Sequence, residues 1–187
     1  MTALQKNAAS NLMQLVTFSV ERDEYALDIL KVQEIIRLRK LTQVPNSPSF
    51  IEGVVNLRGK VIPVMNFRKR FQLKDIPYGR GTRIIVLEEN DIVAGLLVDS
   101  VAEVLRVPES LLIESPASTK SKIDVKYKSG IIMIDNRLIT ILNISTLMDL
   151  NEQAEPVYTR LSGTHMRPEP AHLHSEATHM PDTKLLS

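Results

Sequence analysis

The chain has 187 residues, a formal net charge of +1, 43% hydrophobic residues, 4% aromatic residues and no cysteine. That apolar content fills one large core or two small ones, and the missing cysteines exclude disulfides and thiolate metal sites and suit a reducing cytoplasm. A charge near zero with few aromatics argues against nucleic acid as partner, no run approaches the roughly 20 apolar residues of a membrane span, and Met1–Leu12 lacks the apolar stretch of a secretory signal.

Residues 1–13 read as a short flexible lead. Leu15-Val16-Thr17-Phe18-Ser19-Val20 is rich in β-branched and aromatic residues and predicts a strand. Glu21 to Glu24 forms a polar turn, and Tyr25-Ala26-Leu27-Asp28-Ile29 resumes the apolar alternation. Val32, Ile35 and Ile36 have helical spacing, while the β-branched content of Val32–Leu38 suits a strand equally. We read a helical turn running into a strand. Val54–Leu57 and Val61–Val64 flank Arg58-Gly59, a pair suited to a tight hairpin turn with positive φ. Pro63 cannot donate to a ladder, so its strand is expected at an edge or a bulge. Asn66 is placed to cap a short helical turn over 66–71. The run Arg68-Lys69-Arg70, followed by Lys74, Arg80 and Arg83, reads as the solvated face of a linker.

The pattern then repeats. Ile84–Leu87 predicts a strand, Glu88 to Asp91 a turn and Ile92–Val98 the returning strand. Val32-Gln33-Glu34-Ile35-Ile36-Arg37-Leu38 reappears 69 residues on as Val101-Ala102-Glu103-Val104-Leu105-Arg106-Val107. Gly53-Val54-Val55 reappears 77 residues on as Gly130-Ile131-Ile132. A second hairpin, 131–134 with 138–141, flanks Asp135-Asn136, and Asn143 repeats the place of Asn66 ahead of 143–148. A duplicated module of this kind predicts a mainly β protein of two small barrels, approximately 14–82 and 83–150, with a groove between them. The tail 151–187, broken by Pro156, Pro168, Pro170 and Pro181, has little apolar periodicity and reads as disordered.

The chain offers little for chemistry. No glycine-rich phosphate loop follows a strand and opens a helix. All four histidines lie in the tail at irregular spacing, so neither a metal site nor a Ser-His-Asp arrangement is expected. Asp28, Glu34, Asp99 and Glu103 are the carboxylates to consider, and they read as surface or turn-capping groups. We expect no cofactor and no enzymatic activity: the repeat points to binding.

Residues 14–150 resemble the CheW family of bacterial chemotaxis adaptors. The resemblance rests on Phe18-Ser19-Val20, Tyr25-Ala26-Leu27, Val32-Gln33-Glu34-Ile35 and Val44-Pro45. It is strongest in Ile51-Glu52-Gly53-Val54-Val55-Asn56-Leu57-Arg58-Gly59-Lys60-Val61-Ile62-Pro63-Val64, and it continues in Gly95-Leu96-Leu97-Val98-Asp99-Ser100-Val101. It implies two intertwined SH3-like five-stranded barrels with short helices. It also implies a scaffold that links transmembrane chemoreceptors to the regulatory domain of the histidine kinase CheA, with self-association in receptor arrays. By motif, the groove accepting a receptor's cytoplasmic hairpin tip would use Val16, Ile29, Val32 and Val101. Glu34, Gly53 and Arg58 match positions tied to receptor or kinase coupling. The expected location is the cytoplasm, at membrane-bound receptor arrays, with no direct membrane insertion. Two other readings stay open at this point: an adaptor of another chemosensory pathway, such as pilus motility or biofilm formation, and a small-ligand sensory module. Nothing after Leu150 resembles a phosphoacceptor receiver, and 151–187 is too short for one.

The composition of the tail cannot offset its ordering entropy. Deleting residues 152–187 should therefore shift the melting temperature by less than about 5 °C; a larger drop in a thermal melt would mean that the tail packs on the barrels.

Overall fold

The structure, a computed structural model, describes residues 11–114 and 122–149. The expectations for residues 1–10 and for the tail lie outside the described residues. Ten strands run through them: β1 (Leu12–Val20), β2 (Asp23–Asp28), β3 (Val32–Arg37), β4 (Ile51–Leu57), β5 (Lys60–Asn66), β6 (Arg83–Glu89), β7 (Ile92–Val98), β8 (Ser100–Pro108), β9 (Lys128–Ile134) and β10 (Arg137–Leu142). Two single helical turns, α1 (Phe67–Arg70) and α2 (Ile144–Leu147), follow β5 and β10. The first strand starts inside the expected lead, because Leu12 and Met13 already pair with Pro108 and Val107 of β8.

The strands form two five-stranded sheets, ordered β8-β1-β2-β10-β9 and β3-β6-β7-β5-β4. The repeat is visible in them. Each sheet has the same order once β1 to β5 are matched with β6 to β10. Yet the halves 14–82 and 83–150 are not the barrels. The first two strands leave their own half and join the last three, while β3 to β7 form the other sheet. The reason is in β1 and β2. The apolar residues of this hairpin find their pairing partners on β8 and β10, in the second half.

Both sheets close on themselves. The chain beyond β3 reaches β4 at the far edge, where Thr42 and Val54 exchange two hydrogen bonds of 2.9 and 2.8 Å. The chain beyond β8 reaches β9 in the same way, with Ile113 and Ile131 at 2.9 and 2.8 Å. A glycine precedes each closure. At Gly53 a Cβ would stand 2.6 Å from the Thr42 carbonyl oxygen, and φ is +151°. At Gly130 it would meet the tip of Leu112 at 2.5 Å and the Ile113 oxygen at 3.0 Å. The repeated glycines are thus the points where one strand passes close enough to close a barrel.

Three apolar clusters fill the molecule. Leu15, Ala26, Val107, Ile132, Ile139 and Ile141 fill barrel 1, the sheet containing β1. Val55, Ile62, Val64, Ile84, Val86 and Leu97 fill barrel 2, the sheet containing β3. The largest cluster draws on both, with Phe18, Tyr25 and Leu27 from one sheet and Met65, Ile85, Leu87 and Leu96 from the other. Phe67 of α1 stacks into it, 5.5 Å from Phe18 and 4.9 Å from Tyr25 between ring centroids.

Local chemistry sets the turns as expected. Arg58 and Gly59 have φ of 52° and 85°, and Asp135 and Asn136 have 49° and 62°, the two positive values that a tight hairpin loop requires. Asn66 accepts hydrogen bonds from the backbone of Arg68 and Lys69, and Asn143 from Thr146, so both are helix caps. The helical turn expected within Val32–Leu38 comes earlier, as a 3-10 turn at Ile29–Lys31 capped by Asp28. Two further expectations fail. Pro63 is in neither an edge strand nor a bulge, since β5 lies between β7 and β4. It is tolerated because the ladder to β7 starts only at Val64. The basic run is not a solvated face either. Arg68 and Arg70 are buried, because α1 turns them back between the sheets.

The two glycines make a graded test. Gly53→Ala faces both a backbone clash and a φ hostile to side chains, and should cost about 2–4 kcal/mol. Gly130→Ala meets chiefly the movable end of Leu112 and should cost about half as much. Urea unfolding of both variants checks the order; equal costs would remove the closing role assigned to Gly53.

Candidate functional site

The residues singled out by the sequence fall into two groups. The first lies around the core between the sheets. Val32 opens β3 opposite Leu87, and Val101 lies on β8 opposite Phe18. Both opposite residues belong to the shared core, and both valines are half-buried against it. Both repeat-related valines therefore pack against the same shared core. Ile29 is also half-buried, on the 3-10 turn just before Val32. Val16 does not join them. It is only 2% exposed, lies opposite Leu27, and belongs to a strand flanked on both sides. It is closed off by the protein itself and is a core residue.

Leu30 was missed. It is 85% exposed, more than any other large hydrophobic among the described residues. The Asp28 carboxylate accepts its backbone N–H at 2.9 Å and fixes the turn that holds it outward. The signal was the Asp two residues ahead of it, a turn-capping arrangement.

The second group is polar. Arg58 Nη2 meets Glu34 Oε2 at 3.3 Å, with the arginine largely exposed. Glu34 sits on β3 and Arg58 on the β4–β5 turn, at opposite ends of the sheet order. Closure of the barrel brings them together. The repeat keeps this device on the other barrel, where Glu103, the counterpart of Glu34, accepts from Arg137 Nη1 at 3.0 Å. There Arg137 also takes Glu24 in a forked contact at 3.0 and 2.6 Å. Hydrogen bonds to Glu24 and then Glu103 raise its already high pKa. Gly53 separates from this group. It is buried and carries the closing contact described above.

A charged clasp stands at the crossover from one sheet to the other. Arg68 donates from Nε and Nη2 to Asp99 at 2.8 and 2.6 Å, and from Nη1 to the Lys74 carbonyl at 2.5 Å. Asp99 also accepts the Glu21 backbone N–H at 2.9 Å. Asp99 lies between β7 of one sheet and β8 of the other, so this cluster ties α1, the crossover and the β1–β2 turn together. Burial alone would raise the Asp99 carboxyl. The Arg68 hydrogen bonds, the Glu21 N–H and the guanidinium charge outweigh it and hold Asp99 below the ordinary carboxylate range. Arg70 works further inside. Its guanidinium carbon stands 4.2 Å from the Phe50 ring centre and 5.6 Å from that of Tyr127, residues that the repeat relates. Its Nη2 donates to the Asp149 carbonyl at 2.8 Å.

A cavity of about 150 Å³ opens beside the clasp, lined by Asn66, Arg68, Tyr78, Thr82 and Asp99 among others. Small-molecule pockets run to roughly 300–1,000 Å³, and these polar groups already bind one another. Among the described residues no group of three or more His, Asp or Glu side chains is placed to hold a metal ion, and no helix is long and apolar enough to cross a membrane.

Two intertwined SH3-like barrels with one shared core and an apolar rim define a protein-binding module. Its residues 14–152 match the CheW-like domain. Chemotaxis protein CheW of Thermotoga maritima is 36% identical over 77% of this chain and 94% of its own length. Chemotaxis protein CheW of Bacillus subtilis is 35% identical over 73% of this chain and 86% of its own. The crystal structure of the scaffolding protein TtCheW from Thermoanaerobacter tengcongensis superposes with a TM-score of 0.70 at 34% identity, covering 78% of this chain and 94% of that one. The chain belongs to the CheW family.

The clasp predicts a pH dependence. The folded-state pKa of Asp99 is depressed, so its contribution is present above the unfolded value near 3.8 and is lost as pH falls through the folded value. Asp99→Asn should lower stability at pH 7 by about 1–3 kcal/mol, and the gap to wild type should close in acid. A gap that persists unchanged at pH 2 would mean that the charge of Asp99 is not what stabilises the clasp.

Proposed function

We propose that this protein is a non-catalytic adaptor that couples transmembrane chemoreceptors to the histidine kinase CheA. It resides in the cytoplasm and is recruited to receptor arrays. One observation carries the reading: Val32 and Val101, matched by the repeat, sit half-exposed on the same inter-barrel core, with Ile29 and Leu30 beside Val32. An amphipathic helical hairpin lays an apolar stripe on such a rim, and buried side chains supply the affinity. The relatives named as chemotaxis proteins and as a scaffold support the pathway. The Glu34–Arg58 pair stands on barrel 2 as a polar, exposed feature suited to contact with the kinase regulatory domain. A small-ligand sensory role is less well supported, because the cavity beside the clasp is small and its polar groups are occupied.

The rim is tested by charge. A carboxylate at Val32 or Val101 loses its water when a partner helix covers it, at a cost of several kcal/mol when unpaired. Val32→Asp and Val101→Asp should remain folded by circular dichroism and bind a receptor-tip fragment at least about tenfold more weakly, since 1.4 kcal/mol is a factor of ten. Val16→Asp should instead unfold, as a charge in the closed core. Folded rim variants with normal affinity would place the receptor elsewhere.

The polar pair is tested separately. An exposed ion pair contributes about 0–1 kcal/mol, so Arg58→Glu should barely change the melting temperature. In a reconstituted assay it should lower receptor-dependent kinase stimulation while receptor-fragment binding is retained. Undiminished stimulation would remove Glu34 and Arg58 from the coupling surface.

A further inference from the structure

The β3–β6 ladder ends in two arginines. Arg37 lies opposite Arg83, and like charges directly across a ladder destabilise it. At the end of β3 and beyond it, Ile36, Leu38 and Leu41 turn inward onto the core of barrel 2. That alternation leaves Arg37, Arg39 and Lys40 on the outside, all exposed. Arg80 belongs to the same corner, because its carbonyl accepts Arg83 Nη1 at 2.8 Å.

None of these five cations makes an ion pair among the described residues. Elsewhere Lys31, Arg58, Arg68, Lys69, Lys122 and Arg137 each meet a carboxylate. The carboxylate that follows Val98, the β7 partner of Arg83, is Asp99, and Arg68 already holds it. Arg22, Lys60, Lys74 and Arg106 also make no ion pair among the described residues, but at this corner two of the unpaired cations face one another across a ladder.

We infer that this corner of barrel 2 is an interaction surface for an acidic polypeptide segment. Arg37 and Arg39 are two residues apart on an extended chain, about 7 Å along it. Carboxylates on alternate residues of an extended partner have the same spacing. The stretch 36–41 has no aromatic residue, so the stacking that single-stranded nucleic acid relies on is missing. A partner's carboxylates would also relieve the repulsion between Arg37 and Arg83. This surface is distinct from the apolar rim, and its test does not depend on what the rim binds.

The experiment uses the full chain and a fluorescent deca-glutamate peptide, followed by anisotropy. Binding should be measurable at 20 mM salt and fall at least about tenfold by 200 mM, as exposed charges are screened. Arg37→Gln/Arg39→Gln/Lys40→Gln should weaken it at least about tenfold. The same variant should keep its melting temperature or gain about 1–2 °C from the relieved repulsion. Arg22→Gln/Arg106→Gln, which removes the same kind of charge from barrel 1, should bind as wild type. No binding at low salt, equal loss in both variants, or tighter binding of a decathymidylate than of the peptide would each overturn the proposal.

Discussion

Ile84 and Val86 of β6 point into barrel 2, while Ile85 and Leu87, alternating with them, point into the core that both barrels share. β2 divides its side chains in the same manner, with Ala26 inward and Tyr25 and Leu27 outward to the shared core. A sheet with one wet face reads as alternating apolar and polar residues. These strands have no wet face. That constraint explains why the two barrels are one folding unit and why neither half of the repeat stands alone. Burying the second face of β6 requires the second face of β1 and β2, and these strands belong to the opposite sheet.

The buried arginines follow from the same constraint. A joint between two barrels must also bury the segments that lead into it, and α1 enters from one side only. The repeat places Ser145 where α1 has Arg68 and Leu147 where it has Arg70. The two sides of the pseudo-symmetric joint therefore differ: α1 contributes two buried arginines, whereas on α2 Leu147 is buried and Ser145 is exposed and donates to Glu89. Asp99, forked to Arg68, and the Phe50 and Tyr127 rings around Arg70 make those cations tolerable inside. A buried pair of this kind is weak support for stability in itself.

The sequence made strands, turns and caps legible where the signal was local. Arg58-Gly59, Asp135-Asn136, Asn66 and Asn143 all act within a few residues of themselves, and each behaves as its chemistry requires. The exchange of β1 and β2 between halves was not legible, since hydrophobic pattern marks a buried face without naming what buries it. The basic run misled for a related reason. Arg68 and Arg70 look like solvent residues until Asp99, Phe50 and Tyr127 arrive from distant parts of the chain. The candidate site divided along the same line. Val32 and Val101, named by the resemblance and related by the repeat, are both half-buried against the shared core. Val16 looked equivalent, and only the two-sided burial of β1 sets it apart. Leu30 carried no apolar pattern to mark it, being one residue held outward by a capped turn.

The rim itself is a consequence of the joint. Where two barrels share a core, the strands that lead away from it must emerge, and β3 and β8 do so near their starts, at Val32 and Val101. Val32 and Val101 are half-buried for that reason: one side of each completes the shared core and the other is left in water. Such residues cannot be made polar without weakening the joint, so the apolar rim persists as part of the fold. A partner that covers it gains apolar burial at a surface whose side chains are already fixed, and little further ordering is needed on this side of the interface. The duplication then supplies two such residues, one from each barrel, on a common base. In the proposed receptor contact, a helix touching both would bridge the two barrels, and the joint that stabilises the fold would also form the floor of the contact.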